Sequence, residues 1–164
     1  LRRGTKPPLA RRQVLPLHRP PARQTSDVAE LVMGDLNAYL RAAARQPFAW
    51  GTRDCALFVA DWVQIATGAA DPAAAWRGRY ASEAEALRLT GCLGFTGLIA
   101  KGARGAGLAR TREVKLGDIG VAVIGRAVGA IRTDRGWAAR LPRGLAVMIE
   151  PRIIAAWSVP CRKP

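Results

Sequence analysis

Two stretches in the first half of the chain carry apolar residues at three- and four-residue steps, the spacing that places them on one face of a helix. The first begins after Ser26, a good N-capping residue, and continues to about Arg45, where Pro47 ends it. The second begins at Cys55 and stops at Gly68. The pattern therefore predicts two helices before residue 70, and the second of them starts at a cysteine.

Ser82 and Glu85 form a capping-box pattern, in which two side chains accept hydrogen bonds from free backbone N–H groups at the start of a helix. The pattern predicts a third helix that begins at Ser82. The helix runs toward Leu89, and Gly91 stops it. The glycine-rich stretch from Lys101 to Gly107 is typical of a flexible turn and matches no phosphate-binding loop.

From Val114 onward the composition changes to β-branched and small residues interrupted by glycines, which is typical of short strands. The pattern predicts strands near 119–124, 127–132, 136–139 and 144–149. The segment from Pro151 to Trp157 is predicted to be a short terminal helix or turn, followed by a last extended residue or two. Helices followed by consecutive strands give an α+β fold, with N-terminal helices packed on a small antiparallel sheet.

The 164 residues, of which 49% are apolar, are enough for one domain with its own core, which we place at 27–164. The longest apolar run, at 119–125, is far shorter than the roughly 20 residues that span a bilayer. No apolar block of signal-peptide length follows the first basic residues. We therefore expect no membrane association and no Sec-type export.

Basic residues are unevenly distributed along the chain, whose net charge is +14. Residues 1–26 contain seven arginines and lysines and no acidic residue, whereas residues 27–164 contain nineteen basic and twelve acidic residues. We expect residues 1–26 to be a Pro/Arg-rich tail, appended or disordered and dispensable for folding, that binds polyanions at low salt. Because no nucleic-acid recognition motif accompanies the charge, nucleic-acid binding is the weaker alternative.

Cys55 is the candidate for chemistry because it lies in the first turn of the second predicted helix. Free N–H groups and the positive end of the helix dipole favour a thiolate there, and the thiolate is the nucleophilic form of cysteine. The alternative is a small core residue, since free cysteines are among the most buried residue types. The pattern alone leaves both interpretations open.

The other two cysteines give no sign of a metal site or a disulfide. Cys92 follows a glycine in a predicted turn, Cys161 lies within the last four residues, and neither has a cysteine or histidine nearby. Structural zinc needs clustered ligands, and disulfide frameworks need paired cysteines. We therefore expect no metal and no cofactor.

The residues around Cys55 resemble the nucleophile helix of NlpC-type cysteine peptidases, the bacterial and phage branch of the papain-like fold. The resemblance lies in Trp50-Gly51 and in the run from Asp54 to Asp61. It implies a papain-like fold in which the nucleophile helix packs against the sheet. It also implies Cys55 as the nucleophile and backbone N–H groups of its helix as part of the oxyanion hole.

Over residues 28–159 the chain resembles a set of short phage and prophage proteins related to the NlpC type. The matching pieces occur in the same order: Phe-Ala-Trp-Gly at 48–51, Thr67 to Pro72, Arg77 to Tyr80, Gly94-Phe95, Leu116 to Asp118, and Ala155 to Trp157. This resemblance implies phage tail proteins as partners, peptidoglycan as a target, and a location in the bacterial cytoplasm before assembly and in the virion tail afterwards.

Two residues that would complete the catalytic site are missing from the positions that the resemblance predicts. In NlpC-type enzymes a histidine opens a strand shortly after a Gly-Asp pair, which here is Gly117-Asp118. Ala127 occupies the place of that histidine. The third polar residue is expected at 136–139, which reads Gly-Trp-Ala-Ala. A cysteine without a base transfers acyl groups poorly.

Three other side chains are the remaining candidates for the base. His18, the only histidine in the chain, lies in the proline-interrupted basic tail, so the tail would have to fold back to reach Cys55. Asp54 directly precedes Cys55, and Asp61 lies near the opposite face of the helix, which makes it a poor partner.

Candidate binding residues are Trp50, Asp54, Arg77, Arg79 and Tyr80. The segment 77–80 has the chemistry to hold a carboxylate-bearing substrate or a partner. We favour the structural alternative, in which its arginines bond to carbonyls or to Asp71, because loop arginines more often bond locally. The five tryptophans are expected to be core or edge residues.

Three functions follow as expectations. The first is a non-catalytic or weakly active descendant of a cell-wall cysteine peptidase, acting in tail-tip assembly or cell-wall penetration. The second is an active peptidoglycan peptidase or amidase that uses Cys55. The third and weakest is anion or nucleic-acid binding through residues 1–26. We favour the first because loss of a proton-transfer partner costs about 10² to 10⁴ in rate.

Overall fold

The computed structural model describes residues 24–160, so the predicted tail before Gln24, His18 and Cys161 lie outside the described residues. Helices come first, strands follow, and a single turn of 3₁₀ helix at Gly91–Leu93 joins the last two helices. The helices are α1 (Gln24–Ala44), α2 (Cys55–Thr67), α3 (Glu83–Thr90) and α4 (Gly94–Gly105). The strands are β1 (Ile119–Ile124), β2 (Arg126–Thr133), β3 (Gly136–Leu141), β4 (Gly144–Met148) and β5 (Arg152–Trp157).

The α+β class and the first three helices are confirmed. The predicted cap at Ser82 is present, since Ser82 Oγ accepts from the backbone N–H of Glu85. The returning bond of the capping box is shifted by one residue, because Glu85 Oε2 accepts from the N–H of Ala81 rather than from that of Ser82. Helix α1 begins at Gln24, two residues before the cap predicted at Ser26.

The prediction of a flexible turn at Lys101 to Gly107 is wrong, because α4 continues to Gly105. Its inward face buries Leu98, Ile99, Gly102 and Ala103. A Cβ at position 102 would lie 2.8 Å from the ring of Trp76. Gly102 therefore reflects close packing against α4 rather than a bend in the chain.

Five antiparallel strands form one sheet in the order β4-β3-β2-β1-β5. Four of the strands are where the sequence predicts them. The expectation of a helix or turn at Pro151 to Trp157 is wrong, because 152–157 pairs with β1 as an edge strand. The neighbouring β-branched residues Ile153 and Ile154 suit a strand better than a helix.

The main core lies between the helices and one face of the sheet. Buried side chains from α1, α2 and α4 pack there against Val121, Ile131 and Ala138 of the sheet. Helix α1 runs antiparallel to α2. Near the end of α1, Tyr39 Oη donates to the carbonyl of Phe58 in the first turn of α2. Seven residues earlier in α1, Val32 lies beside Gly117 together with Trp62, which is farther along α2. Consequently the end of α1 and the start of α2 lie together.

The opposite face of the sheet is covered by Trp137. This face carries small residues, among them Gly120, Ala130 and Ala139. A Cβ at position 120 would lie 2.8 Å from the Trp137 ring, so the ring crosses from β3 to β1 over the strand between them. Four of the five tryptophans are buried and Trp50 is half-buried, as expected of core and edge residues.

No helix within residues 24–160 is both long and apolar enough to cross a membrane.

Candidate functional site

The start of α2 is organised by a buried carboxylate. Asp54 is 1% exposed and is the N-cap of the helix, where its Oδ1 accepts from the backbone N–H groups of Ala56 (2.9 Å) and Leu57 (3.1 Å). Its Oδ2 accepts from the N–H of Gly51 (2.8 Å) and from the hydroxyl of Tyr80 (2.5 Å). These four bonds tie the 48–51 loop and Tyr80 to the helix.

Cys55 is the first residue of α2, as the sequence predicts, but its thiol is not activated. Burial raises the pKa of the thiol to about 11, and the neighbouring charge of Asp54 raises it too. A backbone hydrogen bond with Gly129 and the charge of Arg126 act in the other direction and are outweighed. The expectation that the helix end favours a thiolate is therefore wrong.

The reason is the carboxylate beside the thiol. An N-terminal helix end stabilises one nearby anion through its free N–H groups and its dipole. The Asp54 carboxylate is that anion here, since it accepts from Ala56 and Leu57. These same N–H groups belong to the set that the resemblance implies for an oxyanion hole. They already have an acceptor before any substrate arrives.

Cys55 opens onto a groove with a volume of about 220 Å³. The groove lies between the 48–50 loop, α3, α4 and the ends of β2 and β3. Its walls are mostly apolar, and the residues that give it this character are Phe48, Trp50, Leu89, Phe95, Leu98 and Leu141. Such a lining suits an apolar group better than a polar peptide.

No histidine lies in the described part of the chain. Ala127, which stands where the resemblance predicts the histidine, lines the same groove as Cys55. The residues beside it on β2 are Val128 and Gly129, and a Cβ at 129 would lie 2.5 Å from the backbone oxygen of Cys55. The strand that would carry the base is therefore built of small apolar residues, packed closely against α2.

The alternative bases give no free proton acceptor beside the thiol within residues 24–160. His18 lies outside the described residues. Asp54 lines the groove with Cys55, but its two oxygens accept four hydrogen bonds. Asp61 accepts from Arg77 (2.7 Å) and does not line the groove, in agreement with the expectation that it is a poor partner.

Arg77 has a structural role, as favoured from the sequence. Its guanidinium donates to both oxygens of Asp71 (2.6 and 3.1 Å) and to Asp61 (2.7 Å). Hydrogen bonding to Arg77 holds the pKa of Asp71 below its ordinary value. Arg77 therefore joins the loop after α2 to the helix itself.

The other predicted binding residues divide into two groups. Trp50, Asp54 and Tyr80 line the groove beside Cys55, so the structure brings these three together. Burial is the main cause that raises the pKa of Tyr80, and its bond to Asp54 adds to it. Arg79 is exposed and, like Arg77, lies outside the groove.

An ion pair that no sequence pattern predicts lies at the rim of the groove. Arg126 at the start of β2 donates to Glu83 at the start of α3, and its guanidinium lies 6.0 Å from the centre of the Trp50 ring. The two charged residues are 43 positions apart, so no local pattern could have paired them.

The part of the chain that the structure describes contains no group of three or more His, Cys, Asp or Glu residues placed to hold a metal ion. Cys55 and Cys92 are free cysteines, and Cys92 is exposed.

Comparison with curated proteins and with solved structures gives no significant match. One family model matches residues 31–159, which is most of the chain and includes every residue that lines the groove. The chain therefore belongs to the DUF6950 family, described as a domain of unknown function.

Proposed function

We propose that this chain is a non-catalytic relative of NlpC-type cysteine peptidases, which uses the groove beside Cys55 to bind an apolar group and does not cleave a peptide bond. The proposal includes a papain-like relationship for the α+β fold. It rests on the resemblance of residues 28–159 to the NlpC type and on the position of Cys55 at the start of a helix packed against a sheet.

One observation carries the non-catalytic part of the proposal. No side chain that lines the groove is a free base, since Asp54 is held by four hydrogen bonds and Glu83 by Arg126. Enzymes of this kind lower the pKa of their cysteine or pair it with a base. Here burial and the charge of Asp54 raise the pKa of the thiol to about 11 and outweigh Arg126, which acts to lower it.

The apolar lining supports binding as the remaining use of the groove. Aromatic and leucine side chains dominate the walls, and the charged residues Glu83 and Arg126 lie at the rim. Removing an apolar group from water into such a site contributes about 25 cal/mol per Å² buried.

We further propose a tail-associated role, with phage tail proteins as partners and peptidoglycan as the surface at which the tail acts. This part rests on the resemblance alone. Binding of polyanions through residues 1–26 is a separate proposal, and all but the last three of these residues lie outside the described range.

The direct test compares the full chain with Cys55→Ala in a turbidity assay on purified cell walls, with an active lytic enzyme as positive control. We expect no clearing above buffer for either protein. Clearing by the full chain that Cys55→Ala abolishes would replace the proposal with the active peptidase or amidase.

Binding is tested by the fluorescence of an environment-sensitive apolar dye. We expect the dye to bind the full chain and to bind Leu98→Gln or Ala127→Gln at least tenfold more weakly, because each change places an amide in the groove wall. Arg79→Gln serves as the control, since Arg79 is exposed and outside the groove. Equal binding by all four proteins would contradict a binding role for the groove.

A further inference from the structure

A second cavity lies on the other side of the loop that follows α1. Its volume is about 260 Å³, and it is bounded by the end of α1, by one side of α2 from Phe58 to Ile65, and by β3. Its lining is about half polar, whereas that of the groove beside Cys55 is mostly apolar, and Arg140 lines both. The polar residues of the second cavity are Tyr39, Gln46, Arg53, Asp61 and Arg140, and the apolar ones are Ala42, Ala43, Phe58 and Ile65. No feature of the proposed function uses this cavity.

Arg140 is the residue whose hydrogen bonding favours a bound ligand. It is 4% exposed, on β3, and its Nη1 donates to the carbonyl of Ala43 (2.7 Å), while its Nη2 donates to those of Gln46 and Pro47. Its Nε is buried and has no hydrogen-bond partner among the described residues. A buried donor without a partner costs free energy, and a buried charge without a counter-charge costs more.

The three carbonyls accept hydrogen bonds from the guanidinium group of Arg140, but they do not neutralise its positive charge. Within residues 24–160, no carboxylate forms an ion pair with Arg140. Asp61, the one carboxylate that lines the cavity, is bound by Arg77 from outside it. Burial accordingly lowers the pKa of Arg140 from its ordinary value.

A second guanidinium faces the same space. Arg53 lines the cavity and donates through Nε to the carbonyl of Pro47 (3.1 Å), which also accepts from Arg140. Its two terminal nitrogens form no hydrogen bond with the described residues. The charge of Arg53 acts to lower the pKa of Arg140, whereas that of Asp61 acts to raise it. The lining thus has two guanidinium groups and one carboxylate, which Arg77 already holds. A bound anion between the two guanidinium groups would offset their repulsion.

We infer that this cavity is a binding site for a small oxyanion, either a carboxylate or a phosphate, held by Arg53 at the opening and Arg140 at the back. The volume is sufficient, since about 260 Å³ is many times the roughly 10–15 Å³ that a single water needs on the same measure. Guanidinium groups bind both classes of anion through paired N–H···O bonds.

The experiment measures anion affinity of the full chain by isothermal titration with inorganic phosphate and, separately, with acetate, at constant ionic strength. We expect saturable binding of at least one of the two anions at one site. The tighter of the two identifies the class of ligand. Absence of saturable binding of both anions would overturn the inference and leave water as the occupant.

Two substitutions that remove the same charge distinguish this site from general attraction to a basic protein. Arg53→Gln removes the cation at the opening, whereas Arg79→Gln removes an exposed arginine that does not line the cavity. We expect Arg53→Gln to weaken binding at least tenfold and Arg79→Gln to change it less than twofold. Equal weakening by both would show diffuse attraction and contradict the site.

Arg140→Gln is the stronger test of the back of the cavity, but Arg140 also ties α1 to the sheet. It is therefore interpreted only if circular dichroism shows a cooperative thermal transition. Arg53 is exposed and forms a single bond through its side chain, so the Arg53→Gln result stands whether or not Arg140→Gln folds.

Discussion

The two sides of the groove beside Cys55 differ in which parts of a nucleophile site they provide. On α2, a cysteine occupies the first turn of a helix whose N-cap is fully bonded. On β2, which packs against that turn, Ala127 and Gly129 leave no side chain able to accept a proton. A cysteine at a helix start is therefore insufficient for activation, because its pKa depends on what surrounds it from other elements.

Replacing the N-cap has the largest expected effect. Asp54→Ala removes four hydrogen bonds and leaves buried donors on Gly51, Ala56, Leu57 and Tyr80 without an acceptor. We expect a loss of about 3 kcal/mol in the free energy of unfolding, measured in urea. Asp54→Asn, which keeps one acceptor oxygen, should lose about half as much. A loss below about 1 kcal/mol for Asp54→Ala would show that the cap does not organise the site.

Closing the space between α2 and β2 has the next largest effect. Gly129→Ala places a Cβ 2.5 Å from the backbone oxygen of Cys55, so the helix and strand must separate. We expect a loss of about 2 kcal/mol. Gly34→Ala is the control, since Gly34 lies in α1 with open space around it and should gain about 0.5 kcal/mol. If both variants were as stable as the unmodified chain, the close packing of β2 on α2 would be refuted.

The raised pKa of the half-buried Cys55 thiol should also be visible in the pH dependence of stability. An unfolded cysteine titrates near pH 8.5, whereas Cys55 in the folded chain titrates at about 11. The raised pKa contributes stability that is complete below pH 8.5 and is lost as the pH rises through 11. Between pH 8 and 11 we expect the full chain to lose between about 1 and 2 kcal/mol more than Cys55→Ala. Parallel curves for the two proteins would mean that Cys55 titrates normally.

Placing a histidine at position 127 is the smallest and most specific change. Ala127→His places an imidazole in the wall of the groove that Cys55 shares. Its cationic form should lower the pKa of the thiol by about one, and Ala127→Gln, similar in size but uncharged, should not. The pH profile of Cys55 alkylation measures the difference. Identical profiles for the two variants would indicate that position 127 does not face the thiol.

Much of the fold follows from local patterns. The cap at Ser82 and the stop at Gly91 depend on residues within one turn, and the structure has both. The two errors have a common cause. In α4, glycine-rich sequence is helical because Gly102 allows Trp76 to approach, and β5 is a strand because β1 has a free edge to pair with. Both causes lie far away in the sequence.

The candidate site likewise combines features that local sequence patterns predict with features that depend on residues far apart in the sequence. The place of Cys55 at the start of a helix follows from the spacing of its neighbours. Its protonation does not, because it depends on burial, on the backbone of Gly129 and on the charge of Arg126, which come together only in the folded chain. The groove rim pairs Glu83 with Arg126, and the second cavity joins Arg53 to Arg140, 87 positions later. Arginines in a strand pattern give no sign of such partners.

The central claim is that Cys55 is held as a protonated thiol. The most direct test is the rate of its alkylation by iodoacetamide from pH 6 to pH 11.5 in the folded full chain, resolved from Cys92 and Cys161 by peptide mass spectrometry. We predict a rate that still rises tenfold per pH unit at pH 9 and levels off near pH 11. A rate that levels off at or below about pH 8.5, the value of an ordinary cysteine, would contradict the account.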